Sequence, residues 1–261
     1  MNDEMGKEIA KELVTQTAGS AYNDVAHPAA QATGQLVSFI PRTIRVWFGK
    51  WEKWIINGEY AIKETEKLLE KKLENISPEK IVEPEPYVAI PAIQQLSYSL
   101  DSEELREMYA NLLASSMNKD TKSNVHPSFV DIIKQLCPDE AKLLKFLSTK
   151  DSQPLIDVVL NKPNGSGFNT ILHNFSNIAE GVCENHGEIF SYLDNLERLK
   201  FIKIYDNMYI TNNAVYKPLE EHTSVKRLMN SKVNDGESYE IKKHLFELTA
   251  FARNFISICL C

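Results

Sequence analysis

The sequence has no long apolar run, no leader-type start, no cysteine pair at CxxC spacing and no surplus of positive charge. Each absence closes off a class of protein. Without about 18 consecutive apolar residues no transmembrane helix is expected. The start, MNDEMGKEIAKEL, is charged and helical where a secretory leader needs a basic end followed by an apolar stretch. Cys137, Cys183, Cys259 and Cys261 lack thiol-redox or zinc spacing, which points to a reducing compartment. The formal charge of −7 is spread along the chain. Nucleic-acid affinity comes largely from cations that displace counterions from phosphate, so this balance argues against a general DNA or RNA binder. His27, His173, His186, His222 and His244 show no HxxxH or HExxH spacing, and the turn NKPNGSG lacks the GK[ST] ending of a phosphate loop. No metal and no cofactor are expected.

What is present describes a folding, globular chain. At 261 residues, with 43% hydrophobic and 25% charged residues, it can bury a core without disulfides or metals, and two domains are expected. Met5, Ile9, Leu13 and Val14 give a short amphipathic helix from Met5 to Ala18. A second helical stretch runs from Tyr22 towards Leu73, broken or kinked at Pro28 and Pro41. Pro78, Pro84, Pro86 and Pro91 bias residues 76–91 to extended conformations, making this stretch the natural linker. Asp101 and Glu104 form a capping box for a helix striped by Leu105, Met108, Tyr109, Leu112 and Leu113 and ending near Met117. Pro127 opens a helix with Phe129, Ile132, Ile133 and Leu136 inward. Pro138 opens the next, with Asp139 and Glu140 at its positive end and Leu143, Leu144 and Leu147 on its core face.

Further on, the pattern predicts helices over Gln153–Leu160, Phe168–Ala179 and Glu188–Lys200, the last striped by Ile189, Leu193, Leu196 and Leu199. FIKIYDNMYIT then gives two short strands about Asp206-Asn207, with YEIKKHLFELT as a third. The polar stretch at 217–238 is an insertion. Thr249 caps a closing helix in which Phe251, Phe255, Ile258 and Cys259 pack inward. Helices leading into a small antiparallel hairpin resemble a winged helix. The expected fold is therefore mainly α: an N-terminal helical domain over 1–124 followed by a winged-helix-like α+β domain over 125–261.

Four segments in order, AYNDVAHPAAQATGQ, EELREMYANLLASSMN, VHPSFVDIIKQLCPDEAKLLKFL and LTAFARNFISICL, resemble the abortive-infection alpha (Abi-alpha) family of bacterial proteins. The resemblance runs from about Ala21 across most of the chain. Two positions depart from it: Cys137 stands where serine is expected, and Ala252 where glycine is expected. The resemblance implies a part in bacterial phage resistance by abortive infection and carries no catalytic set with it.

The candidate residues fall into two groups. PRTIRVWFGKWEKWIING carries Trp47, Trp51 and Trp54 beside Arg42, Arg45, Lys50 and Lys53. On a helix Ile40, Ile44, Trp47, Phe48, Trp51 and Ile55 share one face. Such a stripe suits a core or subunit interface first and an anionic membrane surface second. His126, Pro127 and Phe129 form the family-like motif, in which His126 reads as a backbone-bonding residue at a helix start and, alternatively, as an imidazole approached by Asp131 or Asp139.

The expected function is phage defence through protein or membrane interactions without evident catalysis. A DNA-binding winged-helix regulator of a prophage or defence locus, and a hydrolase or nuclease using His126, stand as alternatives. The expected partner is a phage or host protein or a second copy. Peripheral membrane contact ranks behind it and nucleic acid last, in a cytoplasmic protein that could visit the inner face of the membrane.

Overall fold

The computed structural model describes residues 36–50, 52, 55, 58–74, 76–99 and 102–260. The chain divides into two compact units. One takes the residues up to Asp101 with Tyr109–Val130, and the other takes Ser102–Met108 with Asp131 onward.

In the first unit α1 (Leu36–Gly49) and α2 (Gly58–Leu73) pack together, and α3 (Pro86–Tyr98) packs on α2. Ile44 and Phe48 of α1, Leu69 and Leu73 of α2, and Ala89, Ala92, Ile93 and Leu96 of α3 are fully buried, spaced at three and four residues as an apolar helix face requires. Pro86 opens α3 at its first turn and Pro91 lies inside it, in a stretch that reads as extended from sequence. Helix α4 (Glu103–Ser116) follows. Its first turn is satisfied by Ser102, whose hydroxyl accepts the Leu105 N–H at 3.4 Å; Asp101, the expected cap, lies outside the described residues. An antiparallel bridge joins Ile81 to Asn118, with Val82 N–H donating to the Met117 carbonyl at 2.8 Å. Tyr109, also buried, donates its hydroxyl to the Val130 carbonyl at 3.3 Å.

The second unit is built on a four-stranded antiparallel sheet in the order β2-β1-β4-β3. After α5 (Ser128–Ile133), which begins at the end of the first unit, come α6 (Pro138–Leu147), β1 (Gln153–Asn161), β2 (Phe168–Phe175), α7 (Ile189–Arg198), β3 (Ile202–Tyr205), α8 (Lys217–Glu220), α9 (Thr223–Met229), β4 (Ser238–Leu248) and α10 (Ala250–Cys259). One face of the sheet buries Ile156, Val158 and Phe175 against Tyr216, Leu219 and Val225, so the polar insertion folds back as α8 and α9 and covers the sheet.

This fold is mixed α+β. It corrects the expectation of a mainly α chain with a clearly helical N-terminal domain and a winged helix after it. Two segments read as helices, Gln153–Leu160 and the one beginning at Phe168, are the strands β1 and β2. The expected hairpin about Asp206-Asn207 is also replaced: β3 ends at Tyr205 and pairs with β4, which arrives after the insertion. The physical reason lies in burial. Leu155, Ile156, Val158 and Val159 are all buried, so β1 is covered on both faces and shows no period of two.

The end of α7 shows how local backbone aims a core residue. Lys200 adopts φ 61°, the left-handed position after a helix, while Phe201 N–H donates to the Leu196 carbonyl at 2.8 Å and Lys200 N–H to the Glu197 carbonyl at 2.9 Å. A lysine there carries the Cβ penalty that glycine avoids. Lys200→Gly is therefore expected to raise the unfolding free energy by roughly 0.5–1 kcal/mol, read as a higher urea midpoint at unchanged slope; an unchanged or lowered midpoint would show that the turn is not under strain.

Candidate functional site

Strand β2 forms an edge of the sheet and is built irregularly. Its register against β1 passes from Ile156↔Phe175 to Val158↔Leu172, which sets His173 and Asn174 against the single residue Asp157, and then to Val159↔Thr170, which leaves Ile171 as an extra residue. Each is a β-bulge, a device that bends an edge strand and re-aims its side chains. Asn174 takes φ 53°, one of three described non-glycine residues at positive φ. The outward result is an exposed run in which Phe168 and Ile171 remain 48% and 44% accessible. Lys242 of β4 lies over the Phe168 ring with its Nζ 3.2 Å from the centroid.

The inner result is a polar cluster. Asp157 Oδ1 accepts the Asn174 N–H at 2.8 Å and faces His173 Nδ1 at 3.0 Å. The buried His244 of β4 sets its Nε2 2.8 Å from Asn174 Oδ1 and 3.6 Å from Asp157 Oδ1. Burial holds the His244 imidazole below its usual range, against the opposing pull of Asp157 and Asp206. Among the described residues no three of His, Cys, Asp and Glu are placed to hold a metal ion.

A second cluster lies at the start of α6, where Asp139 and Glu140 read from sequence as first-turn acids favoured by the helix dipole. Both are buried. Asp139 accepts N–H bonds from Glu184 at 2.9 Å and Asn185 at 2.8 Å and the Tyr192 hydroxyl at 3.1 Å, with Lys142 Nζ at 3.6 Å. Burial pushes this carboxyl up, but those donors and the Lys142 charge outweigh it and leave the group below its ordinary value. Glu140 accepts the Cys137 N–H at 2.7 Å and the Asn195 side-chain amide at 2.7 Å. This cluster ties the 184–185 backbone and α7 to α6. Burial raises the Cys137 thiol and pushes Cys183 up to about 11, so both stay protonated and unreactive near neutral pH. An open depression of about 460 Å³ runs along Glu184, Asn185, His186, Gly187 and Glu188.

The residues singled out from sequence are placed as follows. Arg42 is exposed, and Arg45, also exposed, pairs through Nε with Glu66 at 3.0 Å. Trp47 is half-buried beside the buried Ile44 and Phe48, and Lys50 pairs with Glu83 at 3.0 Å. Trp51, Lys53 and Trp54, like the first helix from Met5, lie outside the described residues. His126 is exposed at the start of α5, where its Nδ1 accepts the Ser128 N–H at 3.2 Å and lies 2.7 Å from the Ser128 hydroxyl. Pro127 is exposed and Phe129 is fully buried, its ring centroid 5.9 Å from that of His126. Asp139 is already occupied by its own donors. Arg198 at the end of α7 bonds Asn195 and Gln135.

Phe168, Ile171, Asp157 and Asn174 escaped the sequence reading, and His173 and His244 entered it only as histidines without ligand spacing. No local signal joins them, because strand pairing alone brings them together.

The sequence matches the family described as abortive infection alpha over residues 57–259. The chain belongs to that family. Two of the four segments that resemble abortive infection alpha proteins fall inside the matched residues, LTAFARNFISICL does so except for its last residue, and AYNDVAHPAAQATGQ precedes them. The abortive infection alpha match takes in His126, Pro127 and Phe129 and all of the sheet, while Arg42, Arg45, Trp47, Lys50, Trp51 and Trp54 come before it. Membership points to a role in phage defence by abortive infection. Among curated proteins none matches. A solved structure of an uncharacterized protein from the hydrocarbon-degrading marine bacterium Alcanivorax borkumensis SK2 is similar at 15% identity and a TM-score of 0.36, covering 55% of this chain and 96% of its own. Among the described residues no helix is long and apolar enough to cross a membrane.

Proposed function

We propose that this abortive infection protein acts by contact with another protein, through the outer edge of β2. The observation that carries the reading is the uncharged run Phe168–Ile171 on an edge strand, with an aromatic and a β-branched side chain both largely accessible. Bulges at Ile171 and at His173-Asn174 interrupt the flat ladder that would recruit a second copy of the strand. The edge therefore meets a partner by side chains rather than by indiscriminate strand addition. Lys242 lies over the Phe168 ring, but the run itself carries no charge, which favours a protein over nucleic acid, whose binding rests on phosphate neutralisation. On α1, the pairing of Arg45 and Lys50 with carboxylates leaves less positive charge for an anionic membrane.

The test is phage challenge of cells carrying either the parent chain or Phe168→Asp/Ile171→Asp. Both residues are exposed, Phe168 beneath Lys242, so the variant is expected to fold. Two desolvated charges at a contact should remove at least about 2 kcal/mol of binding, roughly 30-fold in affinity, and protection should fall accordingly. Undiminished protection by the soluble, folded double variant would sink the assignment of this edge.

A further inference from the structure

The hydrogen bonds behind β2 run in an unbroken line from an exposed imidazole to a buried one. His173 is 63% accessible at its side chain, whereas His244 is 3% accessible. Between them stands the Asn174 side-chain amide, with Nδ2 3.1 Å from His173 Nε2 and Oδ1 2.8 Å from His244 Nε2.

Donor and acceptor chemistry assigns the protons. An ionised Asp157 only accepts, so the His173 nitrogen facing it, Nδ1, carries hydrogen. His173 Nε2 then accepts from the Asn174 NH2. The Asn174 oxygen only accepts, so the His244 nitrogen facing it, Nε2, carries hydrogen. At neutral His173 the line is consistent from end to end.

A second proton on His173 enters at Nε2, where a donor now meets the Asn174 NH2, also a donor. The conflict is relieved when the amide turns and offers Oδ1 to His173. Its NH2 then faces His244 Nε2, which must become an acceptor. We propose that His173, Asn174 and His244 form a proton-driven relay, in which protonation of the exposed His173 turns the Asn174 amide and moves the hydrogen of the buried, neutral His244 from Nε2 to Nδ1.

The Nε2 proton of His244 is released to solvent and another is taken from solvent at Nδ1, so His244 stays neutral and the net gain is the one proton on His173. The groups that act on the His244 ring are Asp157 from β1, His173 from β2 and Asp206 from the turn after β3, and the backbone of Lys242 on β4 adds a pull toward the charged form. His173 faces Asp157 of β1 and its neighbour Asn174. The positive φ of Asn174 and the bulge around it belong to this device, because they set two consecutive β2 residues on one carboxylate. The result is a sheet edge whose internal bonding has two arrangements selected by pH. It concerns the residues facing Asp157 and stands whether or not the outer edge binds a partner.

The test uses the full chain with 15N-labelled histidine and long-range proton–nitrogen spectra from about pH 8 to pH 5, the range in which imidazoles switch charge. The expected result is that the two His244 nitrogens exchange their protonated and unprotonated shifts as His173 titrates, while His244 stays neutral. In Asn174→Gly, which suits the positive φ and removes the amide, His244 should stop following His173. The relay is overturned if the wild-type His244 hydrogen stays on one nitrogen while His173 titrates, or if His244 takes up a proton in step with it. The wild-type spectrum decides the matter even if the variant folds poorly.

Discussion

Asp139→Ala is expected to lower the unfolding free energy by about 1–3 kcal/mol, because it strips three donors of the buried carboxylate they share. The Glu184 and Asn185 N–H groups and the Tyr192 hydroxyl would each lose their bond to it, the hydroxyl keeping the Asn185 carbonyl at 3.3 Å. Lys142 would keep Glu184 at 2.7 Å and Glu104 at 3.4 Å, so the loss falls on the three donors rather than on the lysine. Urea unfolding followed by circular dichroism measures it. A cost under about 1 kcal/mol would mean that the 184–185 backbone finds other partners without difficulty.

The same carboxylate sets a pH dependence. Its folded-state value lies below the ordinary one, so its contribution is fully present above the unfolded value of about 3.9 and is lost as pH falls through the folded value. Stability attributable to Asp139 should therefore decline below about pH 4, and Asp139→Asn should flatten that part of the acid-unfolding curve. An Asp139→Asn curve with the parent's slope would assign the acid sensitivity to other groups.

Phe201→Ala is expected to cost about 3–5 kcal/mol, the range for deleting a buried aromatic ring and leaving its cavity. Phe201 is fully buried and stacks on Phe255 of α10 at 4.6 Å and on Phe251 at 6.0 Å between ring centroids. Its backbone is held as well: its N–H closes the end of α7, and its carbonyl accepts the Thr249 N–H at 3.0 Å. With the main chain pinned on both sides, the site cannot collapse onto the missing ring. Phe201→Leu, which refills part of the space, should recover a sizeable fraction. Equal loss in both variants would point to the aromatic contacts rather than the cavity.

Several elements are legible in the sequence because their cause is local. Thr249 stands before an apolar-striped run, the place of a cap, and its hydroxyl accepts the Ala252 N–H at 3.1 Å. The stripe of α7 buries Ile189, Leu193 and Leu196 as its spacing predicts. The YEIKKHLFELT run is the strand β4. Cys137 occupies the cap position of α6, and Ala252 is fully buried in α10.

Strands β1 and β2 are illegible for two different reasons. Covered on both faces, β1 has neighbouring buried residues and no alternation. In β2 the two bulges shift the alternation twice within eight residues, so its period matches neither a helix nor a regular strand. Once these strands are read as helices, Asp157 and His173 have no reason to meet. They stand 16 residues apart, and Asn174 and His244 stand 70 apart.

The sequence by itself determined the family, the helices with caps and stripes, and the lack of a charge surplus for nucleic acid, since each depends on residue identity or on neighbours within a turn or two. Only the tertiary structure decided that the chain is mixed α+β, that Asp139 and Glu140 are interior acceptors, and that two histidines share one amide behind a bulged edge. Those facts arise from pairings between distant segments, whose favourable contacts exist only after the intervening chain has been ordered, and no short window of sequence records that balance.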